Sequence, residues 1–408
     1  MVKSNLDNSH LKLLFLVFLA AQGFFNPFGL ISPQLAKAFF YVFSVMALIA
    51  AVQKKMSIDF PKRFFVILIL GIFVSSVMAT SFHDQSFMTS FVVILPFLLG
   101  YAYFYILCKC KPPMEALEKM FRFLTICSLF MYIANLVTFP RLIFGSTKDE
   151  YDMSRGFARI GVPMIEIVVT YFFYSINMWI QTKKKSHAIW ILLTIILIFM
   201  SLTRQVIGLS AILGFLFVMQ NASWFKKTIV VMLCLLVVYV VLPQIPMFKT
   251  MMELSETQAE NNREGEDIRI TAWRFYTAEY QTNYITPFLG NGIPASGKSR
   301  WGDQYDRTVY YQYGGNGCFA VDVGWAGFFW SFGGIATLGL LVLILKGIFI
   351  HKPSRRQYLT YSLVFVAITS ITSAPILFYS QICSLSLILY MAYASKQNSD
   401  NYSQLQQL

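Results

Sequence analysis

Arginines and carboxylates at the edges of apolar segments are the groups in this sequence best placed to do chemistry. Arg204 stands out. It lies in Thr203-Arg204-Gln205, a polar break inside the apolar stretch 188–221. That stretch is too long for one bilayer crossing and barely long enough for two, so it reads as a tight hairpin with Arg204 at its tip. An arginine near lipid costs a few kcal/mol unless it snorkels or is paired. Arg204 therefore either reaches the lipid headgroups or clamps a diphosphate, whose oxygens a guanidinium fork grips in bidentate fashion at any relevant pH.

Arg155 and Arg159 flank Gly156-Phe157-Ala158 just before another apolar segment, in a polar stretch that also holds Arg141 and Lys148. Their four-residue spacing puts both on one helix face if that helix begins early. Interfacial anchoring, or pairing with Asp149, Glu150 and Asp152, is the alternative. Glu166 falls about two turns inside the segment that follows. A carboxylate at such depth is either a functional group or a structural partner for one of these arginines. Arg269 and Arg274 belong to Ile268-Arg269-Ile270-Thr271-Ala272-Trp273-Arg274, which reads as an amphipathic helix whose two arginines share a face only loosely. Asp322 precedes Gly324 and Gly327 where the chain re-enters an apolar segment, and fits either a general base or an arginine partner. Gly290-Asn291-Gly292 and Gly314-Gly315-Asn316-Gly317 allow tight turns and close backbone approach to a ligand. Tyr305, Tyr310, Tyr311 and Tyr313 fit sugar stacking or a membrane-surface belt equally.

The elements that must position these groups follow from composition. Hydrophobic residues make up 56% of the 408 residues and charged ones 13%, about half the charged share of a soluble domain. The expected architecture is all-α: a polytopic membrane bundle of about twelve transmembrane helices, forming one integral domain over residues 1–408. The apolar segments run over 11–30, 34–52, 63–82, 87–108, 119–139, 159–180, 188–202, 206–221, 228–246, 324–350, 357–374 and 376–394. Cations pile up on alternate connections, at Lys54, Lys55, Lys62 and Arg63, at Lys109 and Lys111, at Lys183, Lys184 and Lys185, and at Lys352, Arg355 and Arg356. The positive-inside rule places these connections and both termini in the cytoplasm. The net charge of +13 thus sets orientation and excludes nucleic acid as its explanation. The other side receives a long loop over 246–323 and the tip at Arg204. Residues 395–408 read as a flexible cytoplasmic tail.

Other chemistries lack their parts. The six cysteines show no disulfide or metal spacing. Of the four histidines, only His83 falls on the outer side, so a Ser-His or zinc-hydrolase site in the loop is not expected. No nucleotide-phosphate motif occurs. No cofactor or metal is expected, and outer-face chemistry would need a donor already activated in the membrane.

The order of these pieces resembles the bacterial O-antigen polymerase and O-antigen ligase superfamily. The arginine-glycine segment Ser154 to Pro163 leads into a span, and the hairpin Ser201-Leu202-Thr203-Arg204 follows. The long loop opens with Arg269 and Arg274, continues with Pro287-Phe288-Leu289-Gly290-Asn291-Gly292, and closes on Asp322-Val323-Gly324-Trp325-Ala326-Gly327. Ligases of this superfamily usually carry a histidine late in the loop. None occurs between 246 and 323, which favours a polymerase. The resemblance implies a metal-independent glycosyltransferase at the outer face of the bacterial inner membrane. It would join undecaprenyl-diphosphate-linked glycan repeats, with membrane lipid around it and a chain-length regulator protein as partner. Arg204 and Arg159 would be clamps, Arg155, Arg269, Arg274, Arg141, Gly290, Gly292 and Tyr311 substrate contacts, and Asp322 or Glu166 the base. A ligase-type transferase or a lipid-linked oligosaccharide flippase is the alternative.

Overall fold

Most helices of this chain carry apolar residues around their whole circumference, a pattern that requires burial or lipid on every side. In the computed structural model, which describes residues 8–24, 32–139 (except 55 and 57), 143–144, 151–152, 159–221, 267–311 and 318–405 with single positions at 244, 249 and 253, these segments are helical. They are α1 (Asn8–Ala21), α2 (Pro33–Val52), α3 (Lys62–His83), α4 (Phe87–Cys110), α5 (Met114–Val137), α6 (Ile165–Thr182), α7 (Lys185–Met200) and α8 (Arg204–Asn221). Short helices α9 (Ile268–Arg274), α10 (Thr286–Leu289) and α11 (Arg300–Tyr311) follow, then α12 (Gly324–Phe349), α13 (Tyr358–Thr372) and α14 (Tyr379–Leu405). Local signals set several starts. Ser32 and Ser86 cap α2 and α4 by accepting from the amides of Leu35 and Thr89.

Among the described residues, five helices, α2 from Gln34, α3, α4, α5 and α12, are long and apolar enough to cross a membrane, and α1 and α7 are shorter apolar helices. Large apolar side chains such as Val42, Ile49, Leu70, Phe130 and Leu192 stand exposed on the outside of the bundle, a surface suited to lipid. Helices occupy at least part of every apolar segment read from the sequence except 228–246, of which only position 244 is described.

Four boundaries differ most from expectation. α1 stops at Ala21, where Gly23 turns left-handed (φ 69°). α5 begins earlier, at Met114, directly after Pro113. α6 begins at Ile165 rather than near residue 159, because Pro163 disfavours helix at Val162 and Met164 is left-handed (φ 56°). Arg159 instead sits in strand β2 (Arg159–Ile160), antiparallel to β1 (Tyr151–Asp152), with Arg159 opposite Asp152. The expected helix face shared by Arg155 and Arg159 therefore does not form. The last helix continues through the polar end of the chain to Leu405.

Close backbone approach holds the centre. A Cβ on Gly71 of α3 would stand 2.7 Å from the Ala336 Cβ of α12, and one on Gly339 would stand 2.8 Å from the Phe64 carbonyl oxygen. Lipid tails are as apolar as leucine, so helices in a bilayer associate through such packing rather than by a hydrophobic drive.

Cross-links sort the connections into two ends. At one end, Lys109 donates to the Lys54 carbonyl, Asn177 to that of Arg355, Tyr390 to that of Pro112, and Tyr361 to the Gln220 side chain. At the other, Gln22 donates to Ser380, Gln85 to Ile293 and Gln205 to Thr369, each at the carbonyl. These are the same two sets that the alternating lysines and arginines separate. Asn221 and Asp267, which bound residues 222–266, fall at opposite ends.

Candidate active site

A helix ends with carbonyls that have no partner in the helix itself. At the C-terminal end of α13, donors from three distant segments supply those partners. Gln205 Nε2 of α8 donates to Thr369 O (3.0 Å), and Trp273 Nε1 of α9 to Ile371 O (3.0 Å). The Gly324 amide at the start of α12 donates to Ser373 O (3.0 Å), and Trp325 Nε1 reaches Ala367 O one turn below (2.9 Å). Each donor lies within a few residues of a predicted site residue. Arg204 precedes Gln205, Arg269 and Arg274 belong to the helix of Trp273, and Asp322 lies two residues before Gly324. The α13 end thus works as a platform that gathers groups far apart in sequence. Its negative dipole end also favours nearby cations.

The hairpin tip is tightly built. Leu202 is left-handed (φ 51°) and buried, a conformation that disfavours leucine by about 1–2 kcal/mol. Ser201 Oγ donates to Ile198 O (2.7 Å), and α8 starts at Arg204, which is half-buried. On α9, Asp267 caps the helix through the Arg269 amide (2.7 Å). Arg269 is exposed and interacts electrostatically with Asp322. The Asp322 side chain reaches solvent, while its chain neighbours Val323 and Ala326 are buried. Desolvation pushes its carboxyl above the ordinary aspartate range, and the Arg269 guanidinium partly offsets the push. Arg274 faces elsewhere, with its Nε 2.6 Å from Glu279 Oε1 across a π-helical turn at Phe275–Glu279. The two loop arginines therefore have separate partners, as their five-residue spacing implied.

Glu166 is buried in the first turn of α6, where the positive end of a helix favours a carboxylate. It is not two turns inside, because the helix starts later than expected. Its end of α6 is the end that carries Arg204 on α8, since the opposite half of α6 binds Arg355 through Asn177. Arg155 and Arg141 lie outside the described residues. Tyr311 ends α11.

The described part of the long loop has an aromatic core. Tyr276 donates to the Cys318 carbonyl (2.7 Å), and its hydroxyl lies 2.7 Å from that of Tyr305. Burial raises both phenol pKa values, so both stay protonated and able to donate. Tyr305 stacks on Trp330 of α12 (5.2 Å, 25°), so one of the expected sugar-stacking rings is instead used to fold the loop. Tyr310 is exposed. Tyr313 and the Gly314–Gly317 turn lie outside the described residues.

The Gly290-Asn291-Gly292 turn docks on the chain's own helices. Gly290 (φ 85°) would place a Cβ 2.4 Å from Ser331 O, and Gly292 (φ 84°) would place one 2.6 Å from the Ala79 Cβ. The close approach these glycines permit is to α12 and α3. The partner in α12 is a break at Gly333 (φ 79°, ψ 166°), above which Trp330 O and Ser331 O accept from the Asn291 and Gly292 amides (both 2.9 Å).

No protein-family model matches the chain, and no curated protein matches it. The geometry alone carries the site.

Sequence reading missed Gln205, Trp273 and the α13 carbonyls as the frame of the site. A donor next to an arginine is a weak signal, and backbone carbonyls leave none. It also set His83 apart from the loop. His83 stacks on Trp301 (3.9 Å, 7°), with Nε2 3.2 Å from Thr282 Oγ1, so a histidine from α3 does join the loop. Among the described residues, no group of three or more His, Cys, Asp or Glu side chains could hold a metal.

Proposed function

We propose that this chain is a polytopic membrane glycosyltransferase that polymerises undecaprenyl-diphosphate-linked oligosaccharide repeats at the outer face of a bacterial inner membrane. The observation that carries the reading is the convergence on one helix end of the three segments that carry Arg204, Arg269 and Asp322, anchored by Gln205, Trp273 and Gly324. The two-ended sorting of connections supports about twelve crossings, with both termini and the lysine-rich loops in the cytoplasm. The opposite placement of Asn221 and Asp267 supports an odd number of crossings between them.

In this reading, a sugar hydroxyl of one lipid-linked unit attacks the anomeric carbon of the growing chain. The new carbon–oxygen bond forms as the bond to diphosphate breaks, and the electron pair leaves with the lipid diphosphate. Asp322 takes the hydroxyl proton, a role suited to a carboxylate whose pKa is raised above the ordinary aspartate range. Arg204 and Arg269 stabilise the departing charge, with Arg159 as a second clamp and Glu166, in the first turn of α6, as the alternative base. Diphosphate is already a good leaving group, so positioning and charge stabilisation suffice without a metal.

The test is gene deletion followed by complementation. Single lipid-linked repeats should accumulate on the outer face and long chains should vanish. Arg204→Ala should fail to restore chain extension while remaining in the membrane at the wild-type level. Normal chain lengths with that variant would refute the clamp. Inner-face accumulation would indicate a flippase. One observation favours a second reading: His83 meets the loop at Trp301 and Thr282, so the lack of a loop histidine no longer separates polymerase from ligase. Intact free polymer after deletion would indicate the ligase.

A further inference from the structure

At the lysine-rich end of the bundle, opposite the candidate active site, the α2–α3 connection, the end of α12 and α14 border a pocket of about 390 Å3. Its lining carries two amines, Lys346 of α12 and Lys396 of α14, and one carboxylate, Asp59 of the connection. All three residues are exposed. The floor is aromatic and fixed. Phe60 and Tyr393 are buried and their rings meet edge-on (6.4 Å, 65°). The Tyr393 hydroxyl donates to Leu343 O (2.8 Å).

The pocket opens where helix surface suited to lipid ends. Phe349 belongs to its lining and is 81% exposed. Ile335, Leu338, Leu345 and Phe349 form an exposed apolar stripe on α12 that runs into it. Val66, Leu70, Phe73 and Val77 form another on α3, the helix that Gly71 and Gly339 pack closely against α12. Lys346 Nζ lies 5.6 Å from the centre of the Phe64 ring of α3, which holds one ammonium at the seam between the two helices. The carbonyl end of α12 would repel an anion. Lys352 Nζ offsets that end by donating to the carbonyls of Gly347, Ile348 and Ile350.

We propose that this pocket binds the headgroup of an anionic phospholipid from the leaflet at that end, with the phosphate between Lys346 and Lys396 and the acyl chains along the α3 and α12 stripes. Three features select this occupant. Two amines outnumber one carboxylate, so the pocket favours a net anion. The apolar floor and the two stripes suit a ligand with an apolar body, which a free phosphate lacks. Two stripes on neighbouring helices match the two chains of a diacyl lipid. Asp59 accepts from a headgroup hydroxyl, such as those of phosphatidylglycerol. Scattered lysines attract anionic lipid without giving it a fixed place. Two of them over a rigid aromatic floor give it one. The inference is independent of the reaction proposed above.

The experiment titrates the purified full-length protein with phosphatidylglycerol or phosphatidylcholine of identical acyl chains and follows binding by native mass spectrometry. The first phosphatidylglycerol should bind about tenfold tighter than phosphatidylcholine. Lys346→Gln and Lys396→Gln should each weaken it about fivefold, equivalent to about 1 kcal/mol per cation, and about 25-fold together. Both lysines are exposed, so lipid-free melting temperatures in detergent should stay at the wild-type value. Lys346→Arg and Lys396→Arg keep the charge and should bind phosphatidylglycerol like wild type. Lys119→Gln combined with Lys185→Gln removes two exposed lysines of the same end from outside the pocket. That control should leave the affinity within about twofold. An equal loss in the control would reduce the effect to net charge and overturn the proposal. Equal binding of the two lipids would overturn it as well. Inorganic phosphate should fail to displace phosphatidylglycerol; displacement would assign the pocket to a soluble anion and refute the lipid site.

Discussion

Gly333→Ala is the sharpest test of how the long loop is held over the bundle. Gly333 adopts φ 79° and ψ 166° inside α12, a region nearly confined to glycine, and holding another residue there costs about 1–3 kcal/mol. Its new Cβ would lie 2.3 Å from Phe288 O and 2.5 Å from the Gly290 amide nitrogen. Both are backbone atoms, so the Gly290–Gly292 turn would have to lift. Lifting it breaks the two 2.9 Å bonds from Asn291 and Gly292 to Trp330 O and Ser331 O, each contributing about 0.5–1.5 kcal/mol. The expected loss is about 2–6 kcal/mol, a large share of the roughly 5–15 kcal/mol that keeps a typical protein folded. Gly334 is the control. It has no positive φ, and its Cβ would stand 3.2 Å from Pro287 O, so Gly334→Ala should cost under about 1 kcal/mol, near the glycine–alanine propensity difference. Thermal denaturation in detergent and limited proteolysis of the loop read both variants. Equal melting temperatures for the two, with an intact loop, would refute the idea that the break in α12 seats the turn.

Three further outcomes follow from the same geometry. Arg269 partly offsets the burial that raises the Asp322 pKa. Arg269→Gln should therefore raise that pKa further and move the acidic limb of the pH–rate profile to higher pH; an unmoved limb would remove Asp322 as the base. Trp273→Phe deletes the bond to Ile371 O (3.0 Å) and should destabilise by about 0.5–1.5 kcal/mol, while loosening α9 enough to raise hydrogen exchange across residues 268–274. Lys352 Nζ donates to the carbonyls of Gly347 (2.6 Å), Ile348 (3.1 Å) and Ile350 (3.2 Å) at the end of α12, and burial lowers its pKa to about 8. The folded pKa lies below the unfolded one, so between about pH 8 and pH 10.4 the unfolded chain binds more protons and this group's contribution rises with pH. Melting temperatures of wild type and Lys352→Met should diverge across that window, and parallel curves would contradict the burial effect.

The bundle helices were legible because most are apolar runs with cations on alternate connections, a pattern that survives errors of a few residues. The lead-in to α6 was not, because hydropathy continues smoothly from residue 159 while Gly161, Pro163 and left-handed Met164 delay the helix to Ile165. At the site, the sequence exposed the charged groups but not what holds them. Arg204, Arg269 and Asp322 read as candidates because charge next to an apolar run is conspicuous. The segments that carry them are held by carbonyls of Thr369, Ile371 and Ser373, at the end of an unremarkable apolar helix. The glycines at 290 and 292 were conspicuous too. Their type reveals close approach, whereas the approaching partner is known only once α3 and α12 are placed.

That division of labour makes the mutational phenotypes separable. The residues that tie the three segments to α13 are Gln205, Trp273 and Gly324, and the residues with formal charge are their neighbours. Replacing an anchor shifts a whole segment, so it should lower stability and activity together. Replacing Arg269, which is exposed, removes charge from the platform and leaves the Trp273 bond in place. Activity should then fall with little change in melting temperature. If Arg269→Ala instead unfolded the protein as Trp273→Phe is expected to weaken it, the charged group would belong to the scaffold, and the case for a diphosphate-binding surface at this end of α13 would fail.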